Sequence, residues 1–306
     1  MTHSLFKTAL RVLGVLTLLS GAALAAPLDD ASRAFEAQDF KKSLELAMPL
    51  AQQGNAGAQT MVGIQYLYGH GVAKDTNQAL AWLKKSTALG DALGQFTLGM
   101  MYAQGEGVKV SNDDALKNFR LAAAQGYPLA RMALGRAYML GDGVAKNPVE
   151  ALKWYRPAAE EGFAPAQYAL GMAYLTGEGI AKDQGTALTL LRRAADQNYV
   201  EAQMVLGAVL LENNNDAEAV SWFRRSAELG SADAQNALGQ AYSFGRGVSK
   251  DPIAGYMWLH LGAVEDYPEG IADHDTARKN MSAADIAKAE AMAEQCRRND
   301  FKNCGK

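Results

Sequence analysis

Apolar residues return along this chain at intervals of three and four, in blocks of about a dozen separated by glycine-rich breaks. Ala58, Val62 and Tyr66 stand four apart, the spacing that stacks side chains on one face of a helix. After the break comes an amphipathic block with an aromatic, such as Ala79-Leu80-Ala81-Trp82-Leu83 or Ala151-Leu152-Lys153-Trp154-Tyr155. A small pair closes each block: Ala122-Ala123, Ala158-Ala159, Ala194-Ala195. The pattern predicts a unit of helix A, loop and helix B.

The unit is copied along the chain. Gly63, Gly99, Gly135, Gly171 and Gly207 lie 36 residues apart, and Gly239 follows after 32. Around them the same residues recur, as in Leu98-Gly99-Met100-Met101-Tyr102 and Leu170-Gly171-Met172-Ala173-Tyr174. A loop signature follows helix A: Gly69-His70-Gly71-Val72, Gly105-Glu106-Gly107-Val108, Gly141-Asp142-Gly143-Val144, Gly177-Glu178-Gly179-Ile180 and Gly245-Arg246-Gly247-Val248. The fifth unit has Glu212-Asn213-Asn214-Asn215-Asp216 instead, which accounts for its four missing residues. The first loop glycine is expected to end helix A in the left-handed conformation. Asn147-Pro148 and Asp251-Pro252 then read as an N-cap followed by proline at the first helical position. Glycine inside helix A lowers its propensity but lets helix B approach closely.

These residues resemble the Sel1-like repeat, a relative of the tetratricopeptide repeat with a longer loop between its helices. The resemblance covers roughly Gly54 to Val264. It implies an all-α fold, an α/α superhelix or solenoid, in which helices A line the concave surface and the protein serves as an adaptor or scaffold. Stacking physics agrees, since one helix pair cannot bury both of its faces. The expected division is a signal peptide at 1–25, a capping helix pair at 26–53, six repeats over 54–265 (54–89, 90–125, 126–161, 162–197, 198–229, 230–265), and capping helices with a tail at 266–306. After Tyr267-Pro268 the repeat pattern is lost, and Ser282-Ala283-Ala284-Asp285 reads as a capping box that opens a last helix.

The N-terminus changes the picture of location. Lys7 and Arg11 precede the apolar run Val12 to Leu19, and Ala23-Leu24-Ala25 is a small-residue cleavage site. This is the layout of a secretory signal, too short an apolar run to span a bilayer comfortably. The expectation is an exported, periplasmic protein with no membrane insertion after signal removal. Composition adds exclusions. Thirty basic against 33 acidic residues, a net charge of −3, offer no basic face for nucleic acid. Two cysteines cannot staple 306 residues. Cys296 and Cys304 are expected to form a disulfide in an oxidising compartment, the alternative being two free thiols.

No catalytic residues, cofactor or metal site are expected. Of the four histidines, none has ligand spacing, and Asp273-His274-Asp275 reads as a solvated segment. Cysteine-rich relatives of the family are linked to β-lactams, but those carry a cysteine pair in each repeat, and this chain has none within its repeats. The one Ser-x-x-Lys, Ser4 to Lys7, lies in the signal. The Gly-x-Gly loops lack a third glycine and a preceding strand. A β-lactam- or peptidoglycan-acting enzyme is therefore disfavoured.

A second stripe on helix A remains. Seven of the 12 methionines fall on helices A. Positions 7, 11 and 14 of the unit face away from the recurring Ala, Leu and Tyr side, and give the candidate partner-binding residues Phe96, Met100, Met132, Arg136, Met139, Tyr168, Met172, Leu175 and Met204. A Met-rich groove adapts to a peptide or helix; alternatively, these residues pack between neighbouring helices A. Arg136 could receive a carboxylate or extend to water. The expected partner is a protein or peptide, in an envelope or signalling complex or as an exported factor acting on a host. The oligomeric state stays open.

Overall fold

The computed structural model describes residues 25–264, 267–302 and 304. The expected signal peptide falls almost wholly on residues 1–24, outside the described ones. All the regular structure among the described residues is helical: α1 (Ala25–Glu36), α2 (Phe40–Gln52), α3 (Ala56–Tyr68), α4 (Thr76–Ala88), α5 (Ala92–Gln104), α6 (Asn112–Ala124), α7 (Pro128–Leu140), α8 (Pro148–Glu160), α9 (Ala164–Thr176), α10 (Gln184–Asp196), α11 (Val200–Glu212), α12 (Asp216–Glu228), α13 (Ala232–Phe244), α14 (Pro252–Gly262), α15 (Pro268–Lys279) and α16 (Ala283–Arg298). The fold is an α-solenoid of stacked antiparallel helix pairs, as the sequence leads one to expect. The contacts divide it into two compact units, one through Ala158 and one from Ala159.

In the first unit α1 and α2 form a pair, and α3 packs on α2 as the first of the repeated pairs. Its first core joins Ala31, Phe35, Ala47 and Ala51 to Ala58 and Val62. In the second unit, Leu191, Leu206 and Phe223 share one core, and Leu238, Tyr256, Met257 and Trp258 another. Helix ends follow the sequence signals. Asp75, Asp91, Ser111, Asp183 and Asp251 cap helices with their side chains. Gly69, Gly105, Gly141, Gly177 and Gly245 end helices A in the left-handed conformation.

The glycine inside each helix A has a steric reason. A methyl on Gly63 would meet Leu83, on Gly99 Phe119, on Gly135 Tyr155, on Gly171 Leu191, on Gly239 Leu259. In every case the opposing residue is 20 positions on, along helix B. Gly207 opposes Phe223, 16 positions on. The fifth unit has thus shed its loop and kept its helix-to-helix contact.

The C-terminal part continues the stacking beyond the last repeat. Although the repeat pattern ends near Tyr267, Pro268 follows Ala232 by a full 36 residues, and α15 packs on α13 and α14 as a further helix A would. The helix that follows, α16, packs on α14. Cys296 and Cys304 are disulfide-bonded, and both are buried.

Candidate functional site

Open clefts mark where helices A diverge at solvent. In the first unit a cleft of about 300 Å³ runs between α5 and α7, with α6 as its floor. Met100 and Ala103 form one wall, Arg136 and Ala137 the other, Leu116 and Phe119 the floor. Asn112 and Asp142 add polarity to the lining. In the second unit a cleft of about 440 Å³ lies where α13, α14 and α15 meet. Its lining includes Gln240, Ser243 and Phe244, with Leu259 beneath and Asp273 and Ala277 opposite. Phe244 is 78% exposed, so its ring is free to meet an incoming surface.

The same repeat positions line both clefts. Met100 and Gln240 occupy position 11 of their units, Ala103 and Ser243 position 14. Met100 and Arg136, both half-buried, are the two stripe residues that meet in one cleft. Met132, Met139 and Met172 are half-buried on their helices. Leu175 and Met204 are also partly buried, and pack against the core around Leu206.

Position 7 behaves differently. Phe96 is 6% exposed and packs on Phe119 and Tyr127, with ring centroids 5.6 and 5.3 Å away. Tyr168 is half-buried and packs on Tyr199 at 5.4 Å. Thr60 Oγ1 donates to Asp91 Oδ1 at 2.8 Å. Tyr127, Tyr199 and Asp91 each lie 31 residues on, in the turn that starts the next unit. Phe96, Tyr168 and Thr60 therefore tie neighbouring units together, and Phe96 has no surface left for a partner. Burial, with the charge of Glu201, holds the Tyr168 phenol above its usual pKa. Burial and the charge of Asp91 do the same to Tyr127.

Two features escaped the sequence reading. One is a ladder of buried glutamines. Gln59, Gln167, Gln203 and Gln235 each donate from Nε2 to a backbone carbonyl eight residues back, on Ala51, Ala159, Ala195 and Ala227, at 3.0 to 3.3 Å. Gln95 Oε1 accepts from Gln125 Nε2 at 2.8 Å. The signal was available: a glutamine recurs one residue before position 7. The other is a histidine pair. His274 is not solvated: its side chain is 12% exposed. Its Nε2 lies 3.3 Å from His260 Nδ1, its Nδ1 lies 3.1 Å from Asp275 Oδ1, and its ring stacks on Tyr256 at 4.9 Å. It is buried because α15 lies against α14, which the lost sequence pattern did not announce.

The Sel1 repeat profile matches residues 56–91, 92–127, 128–163, 164–199, 200–231 and 232–263. The chain belongs to the Sel1 repeat family. Sel1 repeats generally bind proteins, and the family is generally a non-catalytic interaction scaffold. Among solved structures, a Sel1 repeat protein from Oxalobacter formigenes is 29% identical, with a TM-score of 0.68, over 79% of this chain and 98% of that one. A protective antigen of uropathogenic Escherichia coli with the same repeat fold is 27% identical, with a TM-score of 0.54, over 90% of this chain and 69% of that one. No curated protein matches the chain. No helix of the described residues is long and apolar enough to cross a membrane.

Proposed function

We propose that this Sel1 repeat protein is a non-catalytic periplasmic scaffold that captures a protein or peptide in the clefts between its helices A, and so assembles or regulates an envelope or signalling complex. The observation that carries the reading is the cleft between α5 and α7, where Met100 and Arg136 face a shared apolar floor. A thioether and a guanidinium above apolar side chains suit a segment with an apolar residue beside an acidic one. Met132, Met139, Met172, Leu175 and Met204 stand as secondary candidates, each half-buried. A disulfide-bonded C-terminus is compatible with export.

The test uses the full mature chain as bait in periplasmic extract. Met100→Glu places a carboxylate on the cleft wall, and Arg136→Ala removes its cation; each is expected to lose the captured protein at least about tenfold while circular dichroism stays unchanged. Capture that survives both changes rejects the cleft. Turnover of a β-lactam or peptidoglycan fragment by purified protein would replace the scaffold with the enzyme reading. A second location, outside the cell in contact with a host, draws support from the Escherichia coli relative described as a protective antigen; fractionation into medium against periplasm separates the two.

A further inference from the structure

The pair His260–His274 has no part in the proposed binding surface, and its surroundings are unusual. His260 lies on α14 and His274 on α15, with two ring nitrogens facing each other at 3.3 Å. Such a contact needs one nitrogen to donate and the other to offer a lone pair. It forms with both rings neutral, or with one protonated. With both protonated, two N–H groups and two positive charges face each other, and the bond cannot exist.

Of the neighbouring charges, Asp275, 3.1 Å from His274 Nδ1, and Glu290 favour a proton on the pair, and Arg297 and Arg278 oppose it. The charged groups that face the pair are Asp275 and Arg278 on α15, and Glu290 and Arg297 on α16. They come to two acids and two bases. Beyond α15, α13 contributes a single charged residue, Asp233, whose field acts on Tyr267. Burial, then Arg297, then His274, hold His260 below the usual histidine pKa, with Arg278 in the same direction and Glu290 opposing. A histidine with its folded pKa lowered stabilises the fold least in acid. Its unfavourable contribution is absent well above about pH 6.5, and grows as pH falls from there toward the folded pKa.

The helix held by this contact has few others. Gly270 is the one residue of α15 that is fully buried. Ala277 packs on the core of α13 and α14, Asp273 Oδ2 accepts from Asn236 and Gln240 of α13 at 3.0 and 2.7 Å, and Tyr256 stacks on His274. We propose that His260 and His274 form an acid-sensitive latch, which holds α15 against α14 at neutral pH and releases it when both imidazoles carry a proton. Because Asp273 and Ala277 line the second cleft, release also opens that cleft. The latch goes beyond the binding role proposed above and does not require a partner to be found.

Hydrogen exchange of the full chain tests it, with rates corrected for intrinsic pH dependence. Between about pH 7.5 and 5.5, amides of 268–279 are expected to lose protection about tenfold, while α9 to α12 keep theirs. The midpoint should coincide with the change in the His260 ring signals in the NMR spectrum. His274→Phe keeps an aromatic ring on Tyr256 but cannot be charged, and should abolish the acid response. His260→Gln retains a donor and an acceptor without a titration, and should do the same if the phenylalanine variant loosens α15 at neutral pH. Unchanged protection at pH 5.5 overturns the latch. So does a midpoint below about pH 5, where carboxylates titrate, or an acid response that persists in His260→Gln.

Discussion

Gln203 is fully buried, yet it is an amide among alanines and leucines. Its Nε2 donates at 3.0 Å to Ala195 O, a carbonyl near the end of α10 that also accepts from Asn198 N–H of the following turn at 3.0 Å. The side chain does the work of a cap from the next unit, and Gln59, Gln167 and Gln235 repeat it. Replacing it with leucine would remove the bond that ties the two units and leave that carbonyl with Asn198 N–H alone. Gln203→Leu is expected to destabilise the protein by about 0.5–1.5 kcal/mol, read as a lower midpoint in urea at unchanged slope. A variant as stable as the parent would mean that Asn198 N–H alone satisfies Ala195 O. Glutamine is a sound helix former and ordinarily reads as surface, so the residue type alone conceals this role. The position-7 residues are concealed for the opposite reason. An apolar side chain facing away from the recurring core stripe fits a groove as well as a joint, and only the turn of the next unit, against which Phe96 and Tyr168 rest, decides between them.

At the scale of elements, helices and their ends were legible because most are announced twice, by apolar spacing and by a capping residue, a proline at the first turn or a closing glycine. Asp251 followed by Pro252 illustrates this: its carboxylate accepts from Ile253 and Ala254 N–H at 3.0 Å. The place of α15 was not legible. Its sequence keeps few apolar residues, and it holds the position of a helix A through Ala277 on the core, polar contacts with α13 and the histidine pair. Beyond it, the end of α16 is secured covalently. Cys296 and Cys304 close a short loop that carries Phe301 onto the core of α14 and α13. Cys304→Ser frees that loop. In the loop-entropy account the loss is about 2–3 kcal/mol, expected to appear as faster hydrogen exchange at the C-terminal end of α16. An equal acceleration in α3 and α4 would show instead that the bond supports more than its own neighbourhood.

For the whole molecule, stability is distributed. Each helix pair meets mainly the pairs before and after it, so the array behaves as a sum of local terms with neighbour couplings. The near balance of 30 basic and 33 acidic residues suits such a body, since no single patch of charge has to be offset by distant ones. The fifth unit shows what this tolerance allows. Its shortened turn, with Asn214 in the left-handed region, leaves Gly207 facing Phe223 as the other units leave their own pairs. Loop length and helix pairing are therefore uncoupled, and the turn Asn213 to Asn215 is a natural insertion point for foreign sequence. An epitope or affinity tag spliced there should leave the melting temperature within about 2 °C of the parent; a larger drop, seen by calorimetry, would show that the short turn is itself a structural requirement. What the chain lost in that unit is room into which new sequence can be written.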